Sequence, residues 1–304
     1  MLQSIDRRQF LQGMAAAGSI ATAALVPSHA TAIEPIARNG SPKFKFSLAA
    51  YSYRSLLGGK DPELTLFDFV DDCAKMQLEG TELTSYYFPE TVTHEYLRTL
   101  KQRCFRLGLD VSGTAVGNDF GHPPGEQRDK QLQQMKRWID YAEILGAPVI
   151  RVFAGHAKPD VSAQEAHKLM VSALEESCEY AGQRGVHLAL ENHGGPTADV
   201  AGLLALVHDV DSPWFGVNLD TGNFHTTEDI YGDLAKAAPY ALNVQVKVVV
   251  SGPDKKKRPA DFNQLAKILR EAGYRGYVVL EYEESEDPRK VCPSIVEQLR
   301  AAFG

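Results

Sequence analysis

The chain has 304 residues, 44% hydrophobic and 23% charged, a make-up that suits one large folded domain or two smaller ones. A net charge of −7 with a pI near 5.7 excludes a nucleic-acid footprint. Past the N-terminus no run of 18 apolar residues is present, which excludes stable membrane insertion.

Taken in chain order, the first element is a targeting segment over residues 1–30. Asp6-Arg7-Arg8-Gln9-Phe10-Leu11 precedes an apolar, Ala/Gly-rich stretch, Gly13–Val26, and Pro27-Ser28-His29-Ala30 supplies a small-residue cleavage pattern. The paired arginines resemble a twin-arginine export signal, with Asp6 in place of the usual Ser/Thr and Gln12 in place of the usual Lys. That places the mature protein in the periplasm or otherwise outside the cytoplasm. Residues 31–44, rich in Pro, Gly, Asn and Ser, read as a linker.

Eight strand–helix units follow over 45–304. Strands begin near Phe46, Leu78, Leu109, Pro148, Val186, Phe215, Ala241 and Gly276. Helices are predicted over 62–76, 92–107, 126–146, 162–184, 199–209, 228–238, 261–273 and 288–303. Pro62 at a first helical position, a Ser162/Glu165 capping box and Thr227 as an N-cap mark starts. Gly108, Gly146, Gly185 and Gly273 mark stops. Eight such units predict an α/β fold, a single (β/α)8 TIM barrel. The cysteines Cys73, Cys104, Cys178 and Cys292 all fall in helical patterns, without a C-x-x-C. First and last helices adjoin in a closed barrel, which would let Cys73 pair with Cys292. Four small buried thiols is the plainer expectation.

The last four strands each end in an acid or amide. They are Val186–Glu191, Phe215–Asp220, Ala241–Lys247 and Gly276–Glu281. A carboxylate there is poorly placed for packing but well placed for the mouth of a barrel. Alternation puts Asn243, Gln245 and Lys247 on one face and Val244, Val246 and Val248 on the other. The valine face suits the helix layer, so the polar face points inward. Glu82 on strand two and Arg151 on strand four share the strand-end position. Like charges so gathered need pairing or a cation. Glu191, Asp220, Gln245 and Glu281 would make an all-oxygen site if Gln245 ligates through its carbonyl, which favours Mn2+ or Mg2+ over zinc. A metal there could polarise a sugar carbonyl while Glu191 and Glu281 move a proton beside it. His193, Arg151 and Lys247 would hold hydroxyls or a developing oxyanion. Lys255-Lys256-Lys257-Arg258 reads as a solvated charge run, with a phosphate clamp as the alternative. Tyr86-Tyr87-Phe88 could stack on a sugar or pack the rim.

Leu190-Glu191-Asn192-His193, Leu219-Asp220-Thr221-Gly222-Asn223, Val244-Gln245-Val246-Lys247 and Leu280-Glu281-Tyr282-Glu283 resemble the strand-end motifs of the xylose isomerase-like TIM barrels. These are also described as sugar phosphate isomerases/epimerases. The resemblance covers about residues 46–304 and implies metal ligands at Glu191, Asp220, Gln245 and Glu281. Gln245 stands where the family usually has His, and Asn223 where many members have a substrate-binding His. The resemblance thus implies a metal-dependent sugar isomerase or epimerase acting through an enediolate, on a small-molecule sugar. Two alternatives stay open: a lyase or hydratase on 3-keto-sugars or 3-keto-glycosides, and a non-enzymatic sugar-binding module. The sugar's identity and any self-association are not legible.

Overall fold

The computed structural model describes residues 33–304; the leader expected over 1–30 lies outside the described residues. Eight parallel strands close on themselves: β1 (Lys43–Ala49), β2 (Gly80–Thr84), β3 (Asp110–Ala115), β4 (Val149–Val152), β5 (His187–Glu191), β6 (Phe215–Asp220), β7 (Ala241–Val246) and β10 (Arg275–Leu280). Strands β1 and β10 complete the ring, in register from Lys43 against Arg275 to Leu48 against Leu280. This is the expected (β/α)8 TIM barrel. No helix among the described residues is long and apolar enough to cross a membrane.

The sequence explains where each unit turns. Gly146 and Gly185, at φ +79° and +67°, take the left-handed conformation that ends a helix and releases the chain into the next strand. Gly108 and Gly273 do the same. The outer helices are α2 (Leu66–Lys75), α3 (His94–Arg106), α4 (Glu126–Leu145), α5 (Ala163–Gly182), α6 (Val200–Asp209), α7 (Ile230–Ala237), α8 (Phe262–Glu271) and α9 (Pro288–Phe303); a single turn, α1 (Arg54–Leu57), follows β1. Their apolar stripes, through Phe69, Leu100, Ile139, Leu174, Leu206, Leu234, Leu269 and Val296, pack on the outward faces of the strands, where Val244, Val246, Val278 and Leu280 lie. Each such buried aliphatic side chain contributes roughly 1.5–3 kcal/mol. The lumen is polar instead: Ser47 and Ser112 share a 2.7 Å hydroxyl contact inside it.

Two starts differ from expectation. α2 begins at Leu66, not at Pro62, because Thr65 and Asp68 form a reciprocal capping box there. α7 is capped by Asp229, whose carboxylate accepts from the Gly232 amide, while Thr227 only accepts from Asp229 N–H. Ser162 does cap α5, accepting from the Glu165 amide. Replacing Thr65 by Ala should cost about 1 kcal/mol, read as a lowered urea midpoint. A short antiparallel hairpin, β8 (Val249–Ser251) with β9 (Lys257–Pro259), interrupts the loop after β7. It contains the expected charge run, where Arg258 pairs with Asp254 and Lys257 with Glu284.

Residues 33–42, within the expected linker, have no regular secondary structure but are tied to the barrel. The Ile36 amide donates to Pro239 O, and Arg38 donates to Ala241 O and Ala272 O. All four cysteines are buried and free, so Cys73 and Cys292 are not joined. Burial pushes the Cys178 thiol up to about 12, in keeping with inert packing.

Candidate active site at the barrel mouth

Side-chain alternation brings the strand-end groups together as expected. Glu191, Asp220, Gln245 and Glu281 come from four neighbouring staves and are all at most 5% exposed. Asp220 faces Gln245 in the β6–β7 register, and Gln245 faces Val279 on β10. Asn192 clamps the ends of β5 and β6: its amide donates to Asp220 O and its carbonyl accepts from Asp220 N–H. Thr221 likewise holds the backbone amide of Lys247.

The centre of this set is the Lys247 ammonium. Its Nζ lies 2.5 Å from Glu281 Oε2, 3.0 Å from Glu283 Oε1 and 3.2 Å from Asp220 Oδ2. Arg151 Nε sits 2.8 Å from Glu191 Oε2, and Asn223 Nδ2 donates to Glu191 Oε1 at 3.0 Å. Gln245 Oε1 accepts from Asn218 at 2.6 Å, and its Nε2 donates to Glu82 Oε1 at 2.7 Å and approaches Glu281 Oε1 at 3.4 Å. Asn243 completes the layer by donating to Glu82 Oε2 and Asn218 Oδ1.

Burial and charge then set protonation. Burial works against the Lys247 charge, but Asp220, Glu281 and Glu283 hold its pKa well above the usual lysine range. Burial alone would push Glu281 up, yet the Lys247 ammonium against it holds the carboxyl below its ordinary value. Glu191 is driven well above the carboxylate range by burial, with Asp220 and Glu281 adding repulsion that Arg151 does not offset. Burial likewise lifts Asp220 to about 7, against the pull of Lys247, and lifts Glu82 to about 7, reinforced by Glu281 and opposed by Gln245 and Arg151. His193 is pushed down by burial and by Arg151 and Lys247.

These shifts fix a stability profile. Between the ordinary values of 4.5 and 3.8 and about 7, folded Glu82 and Asp220 hold protons that the unfolded chain has released. Raising pH through that window therefore destabilises the fold. Glu281 acts oppositely: its stabilisation is present above 4.5 and is lost as pH falls through its lower folded value. Thermal unfolding from pH 4 to 8 should show a declining limb toward neutrality, and Glu82→Gln should flatten it.

A cavity of about 240 Å³ opens above the set, lined by Tyr51, Tyr86, Phe153, His193, Asn223 and the carboxylates Glu191, Glu281 and Glu283, with Arg151 and Lys247. An adjoining recess extends past His225, Ser251 and Lys257 on the hairpin. The Arg151 guanidinium lies 4.1 Å from the Phe153 ring centre, and Phe153 lies 4.5 Å from His193. Glu82 does not line this cavity; it sits one layer below, bonded to the amides. Tyr51 and Phe153 were not singled out in the sequence. Phe153 stands two residues beyond Arg151, so strand parity was the available signal; Tyr51 follows β1 in a short 3-10 turn and carries none.

The four expected oxygen ligands do not fit a divalent ion as they are placed. Among the described residues no three His, Cys, Asp or Glu side chains form a ligand group. Gln245 turns its NH2, not its carbonyl, toward the carboxylates, and an ammonium occupies the point that Asp220, Glu281 and Glu283 share. Within this site Asp220 Oδ2 and Arg151 Nε are buried without an aligned hydrogen bond, each held only by its ion pair.

The profile of the family described as xylose isomerase-like TIM barrel matches residues 70–301. A search of curated proteins found no match. Among solved structures, the chain is similar to the D-psicose 3-epimerase of Clostridium cellulolyticum H10, solved with D-tagatose, at a TM-score of 0.71 and 15% identity, covering 85% of this chain and 99% of that one. The 3-keto-D-glucoside 4-epimerase of E. coli gives 0.65 and 19%, covering 86% and 99%. The probable 3-DHS dehydratase from Bacillus anthracis gives 0.65 and 19%, covering 84% and 98%. At these identities the likeness concerns the fold.

Proposed function

The chain belongs to the xylose isomerase-like TIM barrel family, and from that premise we propose that it is a sugar isomerase or epimerase that moves a proton at the carbon beside a carbonyl. One observation carries the reading. Two buried carboxyls, Glu281 and Glu191, face one cavity, and their surroundings push their protonation in opposite directions. Such a divergent pair is an acid–base assignment. Glu281 is the base and Glu191 the acid.

In the proposed reaction the Glu281 carboxylate takes the proton from the carbon beside the substrate carbonyl. The C–H electron pair becomes the double bond of an enediolate, and the carbonyl oxygen takes the charge. Arg151 and Lys247 N–H groups meet that oxygen. Glu191 then delivers its proton to the opposite face of the same carbon, which gives epimerisation, or, once the adjacent hydroxyl has passed its proton to the charged oxygen, to the neighbouring carbon, which gives isomerisation. One proton exchanged between each carboxyl and solvent restores the starting state. Tyr51, Tyr86 and Phe153 supply the apolar wall against which a sugar ring's C–H face packs, while His193 and Asn223 bind hydroxyls. Two structural relatives are themselves named as epimerases of a free ketose and of a 3-keto-glucoside. The arginine-led leader adds export to the proposal, so the substrate class is unphosphorylated.

The test incubates mature protein in D2O with free ketohexoses and with 3-keto-glycosides, followed by NMR. Deuterium at the carbon beside the carbonyl, with interconversion of isomers, is the expected result. Release of an unsaturated product would instead assign an elimination. No exchange with any member of either panel would overturn the reading in favour of a binding module.

A further inference from the structure

We infer that Lys247 is the resident cation of this mouth, its ammonium standing at the point where the strand-end oxygens would otherwise gather round a divalent ion, so that turnover needs no metal. The consequence for turnover rests on the acid–base reading above; the placement of the cation does not.

Each expected carboxylate ligand already faces a protein cation: Glu281 through a hydrogen bond to Lys247, Asp220 and Glu191 through ion pairs to Lys247 and Arg151. An ammonium has three N–H groups, and three carboxylate oxygens surround Nζ: Glu281 Oε2, Glu283 Oε1 and Asp220 Oδ2, at 2.5, 3.0 and 3.2 Å. One arrives from the end of β6 and two from the residues after β10, so the lysine joins these two strand ends to its own β7 through one charge. Glu191 is met by Arg151 on one oxygen and Asn223 on the other. A second cation brought to this point would face both Lys247 and Arg151 across low-dielectric surroundings, where like charges repel strongly.

Gln245 gives the independent argument. An amide could serve a hard ion only through its carbonyl oxygen. Here that oxygen accepts from Asn218 Nδ2, and the NH2 faces Glu82 and Glu281. The orientation is fixed by a closed chain. Asn243 donates to both Glu82 and Asn218, which leaves Asn218 only its NH2 to offer Gln245. Turning Gln245 would oppose its NH2 to that of Asn218. Glu82, a layer below the cavity, is thus a positioning residue: it makes Gln245 a donor, and a donor cannot ligate.

The experiment uses the mature full chain and Mn2+ alone. After dialysis against EDTA, titration followed by the free-Mn2+ EPR signal should show no site in the wild type tighter than about 1 mM. Elemental analysis of protein purified without chelator should find far less than one divalent ion per chain. Lys247→Ala frees the three carboxylates and should bind Mn2+ at least tenfold more tightly than the wild type. An equivalent of metal in the wild type that is lost in Asp220→Ala would overturn the inference. So would a folded Lys247→Ala that binds Mn2+ no better than the parent. If Lys247→Ala does not fold, the wild-type titration alone decides. None of these readouts uses turnover, so an absence of deuterium exchange would sink the proposed function while leaving the cation's identity to be read separately.

Discussion

Glu281→Gln should lower the rate of deuterium incorporation beside the substrate carbonyl by about 10²–10⁴-fold, the usual contribution of a positioned proton-transfer group. The substitution keeps the side chain's shape and its contact with Lys247, so KM should move little and the loss should fall on kcat. Glu191→Gln gives a different signature. Glu191 is the partner held protonated by its burial, and a neutral amide mimics that form for binding but cannot deliver a proton. Exchange into the abstracted position should persist in this variant while net conversion between isomers collapses. The same collapse of both signals in the two variants would show that the roles are not divided this way.

Lys247→Met should cost about 3–5 kcal/mol of folding stability, the range for removing one partner of a buried ion pair. The side chain fits the space but leaves Asp220 and Glu281 without their counter-charge in a site almost closed to water. Glu283→Gln is the control. Glu283 is 40% exposed at the rim, and losing its contact should cost under about 1 kcal/mol. Urea midpoints of the two variants measure the difference. Equal effects would mean that the ammonium is held mainly by the rim and not by the buried pair.

Much of this site was legible because β-structure imposes a two-residue period. Once Val244 and Val246 were assigned to the helix layer, Asn243 and Gln245 had to turn into the lumen, and they do. The same parity brought Glu191, Asp220 and Glu281 to one end of the barrel. What parity could not show is which atom each side chain presents. The direction of the Gln245 amide depends on Glu82, 163 residues earlier, a contact that exists only when the barrel closes. The place of Lys247 was illegible for a related reason. Its long flexible stem lets one Cα serve either the rim or the centre, and Asp220 at the end of β6 with Glu281 and Glu283 after β10 decide between them. Helix starts erred where side-chain caps competed. Pro62 suits a first turn, but the Thr65–Asp68 pair satisfies orphan amides directly and wins. The β8–β9 hairpin was hidden in a valine run that resumes immediately after Lys247 at the end of β7.

That hairpin has a consequence for how this barrel diversifies. It is joined to the rest of the molecule at the rim, through Lys257 on Glu284 and the His225–Ser251 hydrogen bond, and contributes Ser251 and Lys257 to one flank of the opening. The carboxylates that would handle protons belong to other staves. Exchanging the turn at 252–256 for another would therefore redraw one flank of the opening that the proposed sugar must pass, while the carboxylate floor keeps its wiring. Selectivity and chemistry are inherited on separate pieces of chain.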